Sequence, residues 1–505
     1  MKKKVNDIIY PWETPPGVLL EKNHYAKMRD GIKIAMDVYM PAEGDGPWPV
    51  ILSIAPYKKE ILMEVGNVSF YVPKGYVIVN AQARGSGLSQ GKYNFGDELE
   101  QQDGYDIVEW IAKQPWCDGN VGMLGCSYLA MSQYYTAGQK PPHLKCIVPI
   151  NGMTDIYRNA IYQGGLYNAA FMHMWGIMTL KSCAWPSNVP GKEQPGDGLD
   201  AWYFYPEDGP YYWERSADRR ADELEIPIFG IIAAHVYIHT TSQLSTWSKI
   251  KSPKKLMVLP EAPVPYMLFV DLNLGINQEI LRWFDYWLKG IDTKIMDDPP
   301  VAIYDNGTGK WRYENEYPLS RTQWTKFFLH QNPAGPATKV PWGLLSLEAP
   351  TENEVPDKLK SSALSAMSML GSGLSRVPPG SGLYREGEIP SFKPAILAYA
   401  SQSLTEDLTA WGPLSITLYG SADTVDTYTW AWFVKIGDVA PDGKVRIWTL
   451  GNLKASFREV DNEKSKPGQP WHSFQNPAIL EPKTIYDFQI EIQPLFLTFK
   501  KGHKI

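Results

Sequence analysis

The chain has 505 residues, room for about three domains at ~150 residues each. Hydrophobic residues make up 44% and charged residues 21%, with 19 Trp, 29 Tyr and 16 Phe. That is a globular composition, which excludes extensive disorder and can furnish large cores or aromatic binding surfaces. The net charge is −6, and no Lys/Arg run follows Lys2-Lys3-Lys4, so the chain lacks the dense cationic surface that phosphate backbones need and no nucleic-acid partner is expected.

No apolar stretch approaches the ~20 residues of a membrane span, and no apolar signal region follows Met1. A soluble, cytoplasmic protein without a membrane partner is therefore expected. The four cysteines, Cys117, Cys126, Cys146 and Cys183, form no C-x-x-C pair. Neither a disulfide scaffold nor a zinc site is expected from them.

Pro49 to Ile54 and Tyr76 to Asn80 are short apolar, β-branched runs between Gly and Pro, the pattern of buried parallel strands. A helix is predicted over 103–113, where Tyr105, Ile107, Val108 and Ile111 recur at helical spacing behind Asp103 and Asp106. Asn120 to Gly125 reads as a strand, 128–137 as a helix after a sharp turn, and Lys145 to Ile150 as another strand. This alternation predicts an α/β parallel sheet. From Thr154 to Glu225, aromatic helical pieces and Gly/Pro-rich loops form an insertion over the sheet. Strands resume at 226–233 and 255–259, and an amphipathic helix over 277–289 ends at Gly290. After Pro318 the texture is all-β, with strands at 325–329, 414–418 and 445–449 and a long Pro/Ser/Gly-rich loop over 351–382. The expected domains are an α/β core at 1–155 and 226–317, a helical insertion at 156–225, and a β-sandwich at 318–505.

The strongest chemical signal is Gly122-Met123-Leu124-Gly125-Cys126-Ser127-Tyr128-Leu129-Ala130. A serine on a strand-to-helix turn projects its hydroxyl beyond the sheet edge, and the next backbone N–H can bind an oxyanion. Such a turn is tight and needs small neighbours, yet Leu129 stands where the G-x-S-x-G pattern has its last glycine. On this motif alone Ser127 is either a nucleophile or a helix cap.

The surrounding motifs carry more. They include Met28-Arg29-Asp30-Gly31, Asp37-Val38-Tyr39-Met40-Pro41 and Ala55-Pro56-Tyr57-Lys58. Arg84-Gly85-Ser86-Gly87-Leu88-Ser89, Asp103-Gly104-Tyr105-Asp106 and Gln114-Pro115-Trp116-Cys117-Asp118-Gly119 follow. Arg282-Trp283-Phe284-Asp285-Tyr286-Trp287, Asp438-Val439-Ala440-Pro441-Asp442-Gly443 and Gly502-His503 lie further on. Together they resemble the cocaine-esterase and X-prolyl dipeptidyl-peptidase-like family of α/β-hydrolases over nearly the whole chain. The resemblance implies an α/β-hydrolase core, a helical cap and a C-terminal jelly-roll β-sandwich. It also implies esterase, amidase or peptidase chemistry through Ser, His and Asp. Ser127 would be the nucleophile, with the Tyr128 backbone N–H and the Tyr57 hydroxyl as oxyanion hole. A rigid phenol can be aimed at developing charge; the other reading of Tyr57 is a packed aromatic at a strand end.

The resemblance breaks at the other two triad members. The family's acid follows a strand in a segment like Gly-Gly-Trp-x-Asp, which here reads Ile231-Ile232-Ala233-Ala234-His235-Val236-Tyr237. Its base lies in a Gly-Pro-Trp-x-His pattern, which here reads Leu259-Pro260-Glu261-Ala262-Pro263-Val264-Pro265. Between Ile226 and Val270 the only acidic residue is Glu261, and between Thr240 and Leu329 there is no histidine. An unassisted serine has little nucleophilicity at neutral pH. Gln82 also replaces the Asp of the family's Asp-x-Arg-Gly run.

Three readings stay open. In the first, His235 takes the acid's slot and serves as a replacement base, with His239 and His173 as other candidates and Glu261 able to orient an imidazole. Each of these histidines also reads as a cavity-lining residue. In the second, the fold runs a non-hydrolytic cyclase, isomerase or lyase-type step in an aromatic cap pocket. In the third, the chain is a catalytically dead binding protein. The leading expectation is an enzyme acting at a carbonyl of a small organic substrate. Ser127, Tyr57, Tyr128 and His235 would form its centre, and Tyr167, Phe171, His173, Trp175 and His239 its substrate-binding lining. No metal or organic cofactor is implied, and Arg84-Gly85-Ser86-Gly87 is too short for a dinucleotide loop. Gly502-His503-Lys504-Ile505 resembles a motif after which relatives continue with further strands. Either the sandwich is shorter here or the sequence is cut short, and an unpaired edge would favour a homodimer or poor solubility.

Overall fold

Ten strands build the central sheet: β1 (Val18–Lys27), β2 (Lys33–Pro41), β3 (Trp48–Ala55), β4 (Val77–Gln82), β5 (Cys117–Cys126), β6 (Leu144–Ile150), β7 (Ile228–Ala233), β8 (Lys254–Leu259), β9 (Val301–Asp305) and β10 (Lys310–Glu314). The computed structural model describes residues 14–59, 65–184, 188–196, 201–234, 238–261, 274–331, 342–358, 397–423 and 430–505. The spatial order is β1-β2-β4-β3-β5-β6-β7-β8-β9-β10. Neighbours from β4 to β9 run parallel, and the outer pairs run antiparallel. β4 and β7 are buried at every residue and β3 at all but its first. Strands sandwiched between two helix layers have no solvent face, hence their mainly apolar composition with few polar interruptions.

The longer helices are α1 (Glu98–Ile111), α2 (Tyr128–Gly138), α3 (Ala169–Ala184), α4 (Thr240–Lys249) and α5 (Ile276–Lys289). α1 starts earlier than the predicted 103, because Asp97 caps a polar first turn by accepting the Glu100 N–H at 3.0 Å. Asp103 is accordingly not a first-turn acid. It lies buried and holds Arg84 through two hydrogen bonds of 2.7 and 2.5 Å. α5 ends as predicted, with Gly290 at φ 69. The loop after β4 is folded around the Gln82 side chain. Gln82 Oε1 accepts the Leu88 N–H at 2.8 Å, and a Cβ on Gly87 would lie 1.9 Å from Gln82 Nε2. The residue that departs from the family's run is therefore a structural one.

Between β6 and β7 the chain forms the cap. A π-helical turn at Ile156–Ile161 leads through a two-stranded ribbon into α3 and further short helical turns. Its interior is aromatic, with Tyr157, Tyr162, Trp175, Trp202 and Tyr212 buried against Phe95 and Tyr128 of the core. Among the described residues no helix is long and apolar enough to cross a membrane.

The C-terminal part is a β-sandwich. One sheet joins β11 (Phe328–His330), β12 (Trp342–Ser346) and β13 (Ala398–Ser401). The other joins β14 (Leu408–Gly420), β15 (Ala431–Val439), β16 (Val445–Lys454) and β17 (Tyr486–Phe499) in the order β14-β17-β16-β15. The strand predicted at 325–329 is shifted to β11, and those at 414–418 and 445–449 are parts of longer strands. Of the loop predicted over 351–382, residues 359–382 lie outside the described residues. Lys504 exchanges backbone hydrogen bonds with Val439 at 2.8 and 3.0 Å, so the last residues lie against the end of β15.

Asp305, at the end of β9, joins core and sandwich. It is fully buried and accepts the N–H groups of Gly307 and Thr308 at 2.8 and 2.9 Å. From the sandwich it accepts the Thr498 N–H at 3.1 Å, the Thr498 hydroxyl at 2.5 Å and the Trp411 indole at 3.2 Å.

Candidate active site

Ser127 occupies the turn between β5 and α2 at φ 61, ψ −115. A non-glycine residue there costs on the order of 1–3 kcal/mol and persists only when its surroundings enforce it. Its N–H donates to the Ile150 carbonyl at 2.9 Å, and its carbonyl accepts the Ala130 and Met131 N–H groups, both at 3.0 Å. The Leu129 departure is explained by Gly125, whose φ is 153. A Cβ on Gly125 would lie 2.4 Å from the Leu129 Cβ. The buried leucine fills the elbow from the helix side, and the glycine on the strand side makes room for it. Ser127 itself is partly exposed, and its hydroxyl has no hydrogen-bond partner among the described residues.

Asn151 braces this edge. Its N–H donates to the Ile231 carbonyl at 2.9 Å, and its Oδ1 accepts the Ala233 N–H at 2.8 Å. Its Nδ2 faces the Cys126 Sγ at 3.9 Å. One side chain therefore ties the carboxyl ends of β5, β6 and β7. Gln243 of α4 adds a bond to the Pro149 carbonyl at 2.8 Å and accepts the Gly152 N–H. Ligands of open α/β sheets bind at this carboxyl edge.

Tyr57 follows β3 onto the same edge. Its hydroxyl accepts the Trp175 indole N–H from α3 at 2.8 Å, and its ring meets that of Tyr128 edge-on at 6.3 Å. Burial pushes the Tyr57 hydroxyl up to about 12, so it stays a phenol. Trp175 stacks on Tyr128 at 6.0 Å and 13°. The Tyr128 hydroxyl donates to Glu100 Oε1 at 2.7 Å and accepts from Tyr93 at 3.3 Å. Glu100 and Tyr93 are not among the predicted site residues; no local pattern marks a helical glutamate that turns inward under an aromatic cluster.

Burial pushes the Glu100 carboxyl up to about 7, against the Tyr128 hydroxyl and the Gly96 N–H that it accepts. The folded state therefore favours the protonated acid, and that contribution is complete below the unfolded value near ~4.3 and lost as pH rises through 7. Over this window it amounts to roughly 4 kcal/mol at about 1.4 kcal/mol per pH unit. Glu100→Gln is expected to flatten the urea-midpoint profile between about pH 5 and 8 and to exceed the native protein in stability at the upper end. The amide keeps an acceptor for Gly96, and the Tyr128 hydroxyl can turn to accept from it while donating to Tyr93. Parallel profiles for the two proteins would contradict this assignment.

The histidines are mostly committed elsewhere. His24 meets Glu21 at 2.8 Å and His143 meets Glu109 at 2.9 Å. His472 bonds the carbonyls of Glu459 and Gln489 at 3.0 and 2.8 Å, and His503 pairs with Asp438. His173 is exposed and bonded to Tyr203, beside Tyr167. It stands two residues from Trp175, about 200° around α3, on the face turned away from Tyr57. Tyr167 packs with Tyr162, His173 and Tyr203, and both Tyr167 and Phe171 pack against the cluster that holds Trp175 and Tyr128. Glu261 ion-pairs with Arg446 at 3.1 Å. His239 is buried at the start of α4 with no partner on Nδ1 among the described residues, and burial pushes it down to about 3. His235 lies outside the described residues.

In the sandwich, Ser346 Oγ lies 3.0 Å from His330 Nε2, and Glu354 lies 2.8 Å from Nδ1. This is not a second nucleophile. His330 Nε2 also faces the Glu348 carbonyl at 2.9 Å, so both ring nitrogens meet acceptors and neither can take a serine proton. Glu354 accordingly holds the His330 ring above its ordinary value.

The X-Pro dipeptidyl-peptidase (S15 family) profile matches residues 30–262, and the X-Pro dipeptidyl-peptidase C-terminal non-catalytic domain profile matches 293–505. The chain belongs to this family. Cocaine esterase of Rhodococcus sp. (strain MB1 Bresler) is 28% identical over 535 residues, covering 96% of this chain and 89% of that protein. A putative Xaa-Pro dipeptidyl-peptidase of Bacillus anthracis is 24% identical over 482 residues, covering 89% and 71%. Among solved structures, a CocE/NonD family hydrolase from Staphylococcus aureus superposes with a TM-score of 0.77 at 23% identity, covering 96% and 84%. An α-amino acid ester hydrolase follows at 0.73 and 17%, covering 97% and 88%. As a member of the S15 family the chain is a serine-hydrolase-family enzyme, built as an α/β-hydrolase core, cap and C-terminal β-sandwich.

Proposed function

We propose that this enzyme acts at an ester, amide or acyl carbonyl of a small organic substrate through Ser127. In this reading the Tyr57 hydroxyl and the Tyr128 backbone N–H bind the oxyanion, and the family's Asp and His are missing from their usual segments. The observation that carries it is Ser127 held at φ 61 on the strand-to-helix turn, with the Tyr57 ring 6.3 Å from that of its neighbour Tyr128 and the Tyr57 oxygen already accepting a hydrogen bond. The relatives named as esterase and dipeptidyl-peptidase support acyl chemistry of this kind.

The base in this reading is His235, two residues beyond β7. His239 is the weaker choice: a buried imidazole held down near 3, without an orienting partner, gains nothing by taking a proton. With no Asp between Ile226 and Val270 to take the family acid's role, a His235 base would be poorly oriented, and loss of that partner costs about 10⁴ in kcat in trypsin-like enzymes. Slow turnover, confined to activated esters, follows. One observation favours a second reading, a non-hydrolytic step at the same carbonyl site: the aromatic enclosure in which Trp175 stacks on Tyr128 beside Phe95 and Trp202.

Intact-mass labelling with a fluorophosphonate separates the two. The expected result is stoichiometric labelling that disappears in Ser127→Ala and in His235→Ala. Loss in Ser127→Ala alone moves the base to His239. No labelling of the native protein overturns the nucleophile and leaves the non-hydrolytic reading.

A further inference from the structure

We propose that Trp175 is the positioning residue of the oxyanion site: its indole fixes the direction of the Tyr57 hydroxyl and so makes the cap part of the catalytic geometry. This rests on the reading of Tyr57 as an oxyanion donor.

An indole N–H only donates, whereas a phenol both donates and accepts. The 2.8 Å bond from Trp175 Nε1 to Tyr57 Oη therefore has one possible direction, and it occupies an acceptor site of the phenol. A phenolic hydroxyl has two favoured orientations in its ring plane, and a donor at the oxygen disfavours the one that brings two hydrogens together. The Tyr57 proton is thus directed away from Trp175, and it meets no acceptor among the described residues. Donation into the oxygen also polarises the O–H outward, since chained hydrogen bonds strengthen one another.

The indole itself is held. Trp175 is 5% exposed and stacks on Tyr128, the residue whose backbone N–H is the second oxyanion donor. Phe95 meets it edge-on at 5.4 Å, and Trp202 packs at 6.1 Å. One side chain therefore touches both residues that supply the oxyanion donors, and its ring is boxed on further sides. A donor aimed before the substrate arrives needs no reorganisation in the transition state. Trp175 belongs to α3, so a shift of the cap helix would turn the hydroxyl off its line.

The test is a double-mutant cycle on kcat and KM for p-nitrophenyl acetate, with the phosphonylation rate as a parallel readout. Its members are the native enzyme, Trp175→Phe, Tyr57→Phe and the double variant. Trp175→Phe is expected to lower kcat about tenfold with KM within about twofold, and the double variant to be no slower than Tyr57→Phe alone. Replacing Trp175 by benzothienylalanine, which keeps the bicyclic shape and lacks the N–H, should reproduce the loss and separates the hydrogen bond from packing. Equal slowing by Trp175→Phe in both backgrounds, or full activity of the benzothienyl variant, overturns the positioning role and leaves Tyr57 standing. An unchanged kcat in Tyr57→Phe removes the oxyanion reading and this inference with it, as does a native enzyme that neither turns over the ester nor is phosphonylated.

Discussion

Ser127→Ala is expected to lower kcat/KM on p-nitrophenyl acetate by about 10³-fold or more while leaving the melting temperature nearly unchanged. The asymmetry follows from the geometry. The Ser127 backbone sits at φ 61 through bonds made by its own N–H and carbonyl, which alanine retains. Its hydroxyl has no partner among the described residues, so truncation orphans no buried donor or acceptor. What disappears is the attacking oxygen. The tyrosine and backbone donors would remain, and with them the residual 10³–10⁴ over water that roughly survives loss of triad members elsewhere. Turnover of Ser127→Ala equal to the native rate would mean that water, not Ser127, attacks the carbonyl.

Tyr57→Phe is expected to lower kcat by about 10²–10³ with KM within about twofold, because the lost bond strengthens only as charge develops on the oxygen. The ratio of native to variant kcat should stay constant from about pH 6 to 10. With the hydroxyl pushed up to about 12, the phenol remains protonated throughout that range. A ratio that collapses below about pH 9 would show that the group ionises and is not acting as a neutral donor. The variant also leaves the Trp175 N–H facing a ring edge, at a cost of about 1–3 kcal/mol. The melting temperature therefore belongs in the same experiment.

The sheet was legible because burial on both faces writes itself as apolar runs, as in Val77 to Val79 and Ile228 to Ala233. The start of α1 was not, because Asp97 caps a turn of polar residues that carry no apolar period. Ser127 and Tyr57 stand out in local motifs. The bond between Tyr57 and Trp175 joins residues 118 positions apart, and nothing local in either segment foretells it. His173 misleads for a related reason: two positions along a helix is a neighbour in sequence and an opposite face in space. Glu100 stays hidden among the acids at the head of α1, and only its inward turn onto Tyr128 distinguishes it from Glu98.

Asp305 has a consequence for how the molecule comes apart. Three of the five donors that satisfy this buried carboxylate belong to Thr498 and Trp411 of the sandwich, and two to its own turn after β9. Undocking the sandwich would leave a charge inside the core edge with its solvation stripped and most of its compensation gone. Melting the sandwich away from an intact core therefore carries the loss of these three bonds. A single unfolding transition shared by the core and the sandwich is expected, and Asp305→Ala should weaken that sharing, read as a split of the calorimetric transition.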